Sequence, residues 1–101
     1  MTPETIVKNS ILKYLDDLEK SGHPILVKRR SADGPNYKIG EPDTYFIYNG
    51  IHVEVEFKAP GGVRSSAQIK YAQKCLSHGV PYLCVNSLTQ FKAFMEAKFL
   101  K

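Results

Sequence analysis

The sequence predicts an α/β fold in which a mixed β-sheet is flanked by helices, in the order α-β-β-β-α-β-α. Three observations carry that prediction. Apolar residues recur at helical spacing in an N-terminal stretch that opens on Thr2-Pro3. Two runs of aromatic and β-branched residues, Thr44–Tyr48 and Ile51–Phe57, are separated by Asn49-Gly50, the strongest short hairpin signal. A helix-starting Ser65-Ser-Ala-Gln68 then separates that hairpin from a further apolar run, Val80–Val85, giving a strand-helix-strand unit whose strands should lie parallel.

Taken in order, Thr2 is an N-cap, Pro3 suits the first helical position, and Glu4 stands near the positive end of the helix. Ile6, Val7, Ile11, Leu12, Tyr14, Leu15 and Leu18 form the apolar stripe, and Ser21-Gly22 with Pro24 stops the helix. Pro24–Val27 is a short strand leaving through Lys28-Arg29-Arg30. Ser31 to Ile39 contains Asp33-Gly34-Pro35-Asn36, a turn-rich loop leading straight to Gly40. After Phe57 and Lys58, Pro60 ends the strand. The helix from Ser65 runs to about His78, with Gly79 closing it. Asn86-Ser87 leads into a last helix from about Leu88, with Phe91, Phe94, Met95 and Phe99 on its apolar side.

Composition bounds the function classes. The 101 residues suffice for one domain, read as 1–101, with a single core. No apolar run approaches the ~20 residues of a membrane span, so no membrane partner is expected. Cys75 and Cys84 lack a metal-ligand spacing and read as reduced core residues of a cytosolic protein. The net charge of +4 is compatible with a nucleic-acid partner but too mild to establish one.

The hairpin carries the chemistry. A two-residue loop at Asn49-Gly50 sets Tyr48 opposite Ile51, and the same register carried outward sets Asp43 opposite Glu56. Directly opposed residues have Cβ atoms roughly 4.5–5.5 Å apart, so two carboxylates would share one spot. Lys58, two residues after Glu56, joins that face. Phe46, Tyr48, Ile51, Val53, Val55 and Phe57 take the other face and should point to the core. Close carboxylates repel unless a cation neutralises them, and Mg²⁺ or Mn²⁺ is the usual answer. The competing reading is a solvated charged stripe with an ordinary ion pair. His52 lies roughly 13 Å along the strand from Glu56, too far to share an ion with it. His23 and His78 read as surface or capping residues.

Pro42-Asp43 followed by Glu56-Phe57-Lys58 resembles the PD-(D/E)XK nuclease signature. With Gly40-Glu-Pro-Asp43, Glu54-Val-Glu-Phe-Lys58, Pro60, Gly62 and Ser65-Ser-Ala-Gln68 it resembles the VRR-NUC branch, of stand-alone phage or bacterial type, over essentially the whole chain. The resemblance implies a restriction-endonuclease-like core and a Mg²⁺- or Mn²⁺-dependent DNA endonuclease in the cytoplasm of a bacterial or phage-infected cell. Asp43 and Glu56 would be metal ligands, aided by the Val55 or Phe57 carbonyl, Lys58 the catalytic lysine and Gln68 the helix glutamine. Phe57, between Glu56 and Lys58, is bulkier than the family pattern suggests, but points coreward.

Several assignments stay open on sequence. Glu4 is a third metal ligand or a helix-dipole acid. Gln68 caps Ser65, positions substrate, or does both. Lys28 and Arg30, Arg64, Lys70 and Lys74 are phosphate contacts or plain surface charges. The resemblance also implies a homodimer that resolves four-way (Holliday) junctions, with Phe91, Phe94 and Phe99 offering interface area or simply packing on the sheet. The alternatives are a monomeric flap or single-strand nuclease, a non-catalytic nucleic-acid-binding module, and a protein-interaction domain.

Overall fold

Thr2 accepts a hydrogen bond from the Thr5 amide and Pro3 opens helix α1 (Pro3–Lys20), as the sequence signals require. The computed structural model describes residues 1–30 and 40–100. The expected turn-rich loop, Ser31 to Ile39, lies outside the described residues. Strands β1 (Ile25–Arg29), β2 (Thr44–Tyr48) and β3 (Ile51–Phe57) follow, then helix α2 (Ser66–Ser77), strand β4 (Tyr82–Val85) and helix α3 (Leu88–Lys98). The predicted order is the observed one. The strand expected over Val80–Val85 is two residues shorter, and the one expected over Pro24–Val27 is shifted toward the basic residues.

The four strands form one mixed sheet in the order β1-β2-β3-β4. β1, β2 and β3 are antiparallel in sequence, and β4 lies parallel to β3. Asn49 (φ 48) and Gly50 (φ 88) both take the left-handed conformation that a tight hairpin turn demands. Their turn fixes the register expected from the sequence: Tyr48 faces Ile51, Phe46 faces Val53 and Thr44 faces Val55.

That register separates two faces. On one, Phe46, Val53, Val55, Phe57 and Val85 meet Val7, Ile11 and Leu15 of α1 and Phe91 and Met95 of α3 in a single buried core. Ile51 was expected there, but at the hairpin tip it lies beyond the helices and is exposed. The Phe91 ring packs edge-on against Tyr14 and Phe46, and Phe99 stacks on Tyr48 at 4.5 Å. The apolar side of the last helix is therefore absorbed by the core. Phe91 is fully buried, while Phe94 and Phe99 are half-buried against the core, Phe99 on the Tyr48 ring, so of the two readings of this helix packing on the sheet takes much of its aromatic area.

The other face carries Tyr45, His52, Glu54, Glu56, Tyr82 and Cys84, with α2 over β4 and the Tyr71 and Tyr82 rings 6.4 Å apart. Cys75 is buried, whereas Cys84 stands beside Glu56 on this polar face rather than in the core. Glu54 is almost fully buried here. Its carboxylate takes two hydrogen bonds from the Arg30 guanidinium, at 2.5 and 2.7 Å, and one shared with His52.

Gly40 fixes how this layer joins the sheet. Its φ is +90°, and a Cβ there would sit 2.4 Å from the Ala67 carbonyl oxygen. Only a glycine lets the chain run this close to the first turn of α2. Gly40→Ala is expected to cost at least about 2 kcal/mol, from a disfavoured backbone region plus overpacking. A urea midpoint unchanged from that of the original protein would contradict this close approach.

Candidate functional site

Asp43 immediately precedes β2, and Glu56 and Lys58 lie at and just beyond the end of β3, so all three collect at one end of the sheet. The chain path brings the helix starts to the same end. α1 runs back to the start of β1, α2 leaves from the end of β3, and α3 leaves from the end of β4. Three positive helix ends thus lie on the side of the sheet that holds the carboxylates.

Asp43 is held from two directions. Its backbone carbonyl accepts from the Arg30 amide at 2.6 Å, extending the β1–β2 pairing by one residue. Its carboxylate accepts from Lys8 Nζ at 2.6 Å and from Thr44 Oγ1 at 2.8 Å. The regular β2–β3 ladder stops at Thr44, and the Asp43 side chain is engaged by α1. Thr44 pairs with Val55, the register that brings Asp43 toward Glu56, and the charge of Asp43 acts on Glu56. What the sequence did not show is Lys8, which meets the Asp43 carboxylate from α1.

Glu56 has the opposite environment. Burial pushes its pKa up, and the charges of Asp43 and Glu4 raise it further; Lys58 and Lys8 pull the other way, leaving it at about 7. Burial also pushes Asp43 up, but hydrogen bonds from Lys8 and Thr44, with the charges of Lys8 and Arg29, hold it below its ordinary value. Two neighbouring carboxyl groups with proton affinities driven apart are a frequent mark of a functional site. Glu4, though exposed, is close enough for its charge to act on Glu56, so the first turn of α1 borders the same space.

The remaining predicted residues are distributed unevenly. Phe57 is buried with its ring in the core, so only its backbone carbonyl is left for an ion. Gln68 completes a capping box: its Oε1 accepts from the Ser65 amide at 2.8 Å, and the Ser65 hydroxyl accepts from the Gln68 amide. Arg64 is half-buried just before α2, and its charge reaches Cys84 and Tyr82. Lys28, Lys70 and Lys74 are exposed.

Arg30 has a different task from the phosphate contact considered for it. Its Nε pairs with Glu41 at 2.7 Å, one Nη donates to the Pro42 carbonyl at 2.9 Å, and both Nη atoms bind Glu54. The guanidinium also lies 4.4 Å from the Tyr45 ring centroid, and Tyr45 stacks on His52. Arg30 therefore clamps the Glu41–Asp43 segment onto the sheet. Sequence reasoning missed this clamp and missed Lys8. The available signal for Lys8 was its place one helical turn after Glu4, on the same side of α1.

The donor set suits a hard cation. Asp43, Glu56 and Glu4 offer carboxylate oxygens, the Phe57 carbonyl a neutral one, and an ammonium already stands where a cation is favoured. Among the described residues, no three His, Cys, Asp or Glu side chains are gathered closely enough to grip an ion as they stand, and Asp43 is paired with Lys8. Among the described residues no helix is long and apolar enough to cross a membrane. Comparison with protein-family models, with curated proteins and with solved structures finds no match for this chain.

A stability signature follows from Glu56. Its folded-state pKa lies above the ordinary 4.5, so between about pH 4.5 and 7 the folded protein holds a proton that the unfolded chain has lost. That contribution is complete below pH 4.5 and disappears as pH rises through 7. Discounted for the partial exposure of the group, the loss should be about 1 kcal/mol in metal-free buffer. Asp43 acts with the opposite sign, but only below its ordinary 3.8. Glu56→Gln should remove the loss, which urea titrations at pH 5 and pH 8 in EDTA will show. Parallel pH profiles for the two proteins would contradict it.

Proposed function

We propose that this chain is a divalent-metal-dependent DNA endonuclease with a PD-(D/E)XK core of the VRR-NUC branch. The observation that carries the reading is the pair Asp43 and Glu56, with opposite shifts in proton affinity, beside Lys58 at the sheet end where the three helices start. A solvated charged stripe would leave Glu56 exposed and balanced; burial instead loads it with unfavourable charge, which a cation relieves.

Asp43, Glu56 and Glu4, with the Phe57 carbonyl, would hold Mg²⁺ or Mn²⁺. When bound, the ion supplies Lewis acidity and charge neutralisation at the scissile phosphate. Lys58 orients the attacking water and offsets charge on the phosphate oxygens. Arg30 keeps Asp43 in register. Gln68, whose carbonyl oxygen caps α2, has its amide nitrogen for the substrate. Arg64, Lys70 and Lys74 on and before α2, and Lys28 on β1, are placed to meet phosphates further along the DNA.

Paired cuts in a four-way junction need two such sites, and a two-fold homodimer is the simplest way to supply them. Light scattering during size exclusion should return the mass of two chains; one chain at micromolar concentration would favour a monomeric flap or single-strand nuclease. The metal reading is tested by isothermal titration with Mn²⁺, which should show binding that Asp43→Ala removes. Absence of binding in the unsubstituted protein would instead favour a non-catalytic nucleic-acid-binding module.

A further inference from the structure

We infer that Lys8 is a resident counter-cation on Asp43, displaced when the divalent ion binds and then available to a phosphate of the DNA backbone. The inference rests on the proposed metal site and deepens it.

Lys8 leaves α1 one turn after Glu4, and its Nζ reaches Asp43 Oδ2 at 2.6 Å. The contact bridges residues 35 apart in sequence and joins the helix layer to the sheet end. The Lys8 side chain is 19% exposed and that of Asp43 45%, so the pair stands at the mouth of the site rather than within the core. A buried structural pair would need both groups to stay together. Here a half-exposed carboxylate already accepts a second hydrogen bond from Thr44, so it keeps a partner when Lys8 departs.

An ammonium and a divalent ion compete for the same carboxylate oxygen. While Lys8 holds Asp43, the negative charge beside Glu56 is partly neutralised and the apo-protein is spared repulsion among Glu4, Asp43 and Glu56. A divalent ion carries twice the charge and takes several oxygens at once, so it wins at the cost of displacing Lys8. The released ammonium sits on a flexible four-carbon stem in the second turn of α1, one turn from the helix's positive end, and can reach a phosphate that approaches there. Lys8 thus acts with opposite sign on the two ligands: it weakens metal binding and strengthens DNA binding.

The test compares the full chain with Lys8→Met and Lys8→Arg, by Mn²⁺ titration and by fluorescence anisotropy on a four-way DNA junction with Ca²⁺ in place of Mg²⁺. Lys8→Met should bind Mn²⁺ about tenfold more tightly, since one nearby charge shifts an ionic equilibrium by at least a unit of log K. It should bind DNA more weakly, with the log–log salt slope reduced by about 0.9, the loss of one phosphate contact. Lys8→Arg should keep the unsubstituted protein's salt slope. Unchanged or weaker Mn²⁺ affinity in Lys8→Met, or undiminished DNA affinity, overturns the inference and leaves the metal site standing. No Mn²⁺ binding by any of the three overturns both. A measurement without loss of the residue is lysine side-chain NMR: on saturation with Mg²⁺ the Lys8 Nζ signal, assigned by its absence in Lys8→Arg, should leave its ion-paired position, and a stationary signal overturns the inference.

Discussion

Replacing Glu56 by Ala should lower Mg²⁺-dependent DNA cleavage by at least about 10³-fold, roughly 4 kcal/mol of transition-state stabilisation, while the protein stays folded. The expectation follows from the role proposed for the residue. Burial and the charges of Asp43 and Glu4 disfavour the Glu56 anion, and a bound ion would relieve it. Without Glu56, Asp43 and Glu4 would offer such an ion fewer oxygens, and Lys58 would have no fixed phosphate or water to act on. Stability should move the other way above pH 7, where the unsubstituted protein carries a strained charge that the variant lacks. Lost cleavage together with retained or improved stability separates a catalytic carboxylate from a structural one. Initial rates on a labelled four-way junction, taken beside urea midpoints at pH 8, supply both numbers. Full Mg²⁺-dependent cleavage by Glu56→Ala would sink the assignment.

The largest loss of stability should come from Arg30. Arg30→Met removes the partner of a carboxylate that is only 2% exposed, and breaking such a pair costs about 3–5 kcal/mol because the remaining charge is left buried. His52, the other partner of Glu54, keeps its hydrogen bond to the carboxylate but does not replace the two bonds and the charge of the guanidinium. Replacing both partners, as Arg30→Met with Glu54→Met, should recover much of the loss, since no charge is then stranded. Activity should not return with the double replacement, because Arg30 also holds the Glu41 carboxylate and the Pro42 carbonyl beside Asp43. Urea titration and cleavage rates on the three variants check both halves. A single Arg30→Met variant with an unchanged midpoint would show that the Glu54 pair does not hold this face together.

The sequence disclosed local structure well because its signals are local. Asn49-Gly50 determines its own turn, the turn determines the register, and alternation then determines which residues of β2 and β3 share a face. Thr2-Pro3 and the Ser65–Gln68 capping box likewise announce helix starts through contacts within four residues. What stayed illegible depends on residues far apart in the chain. Nothing near Lys8 shows that it will meet Asp43, and nothing near Arg30 distinguishes a basic strand end from a clamp on Glu54. The Gly40 requirement is of the same kind, set by a helix 27 positions on, at Ala67. The hairpin register brings Asp43 toward Glu56, but pairing rules place a backbone and do not say which charge the next layer offers a side chain at the end of a strand.

The central claim is that this site hydrolyses phosphodiesters with a divalent ion. It is tested most directly by incubating the purified chain with single-stranded, nicked, flapped and four-way DNA, with Mg²⁺ and with EDTA, beside a Lys58→Ala control. The account predicts cleavage of branched DNA that requires Mg²⁺ and is lost in Lys58→Ala; binding without cleavage of any of the four substrates, or cleavage that persists in EDTA or in Lys58→Ala, would contradict it.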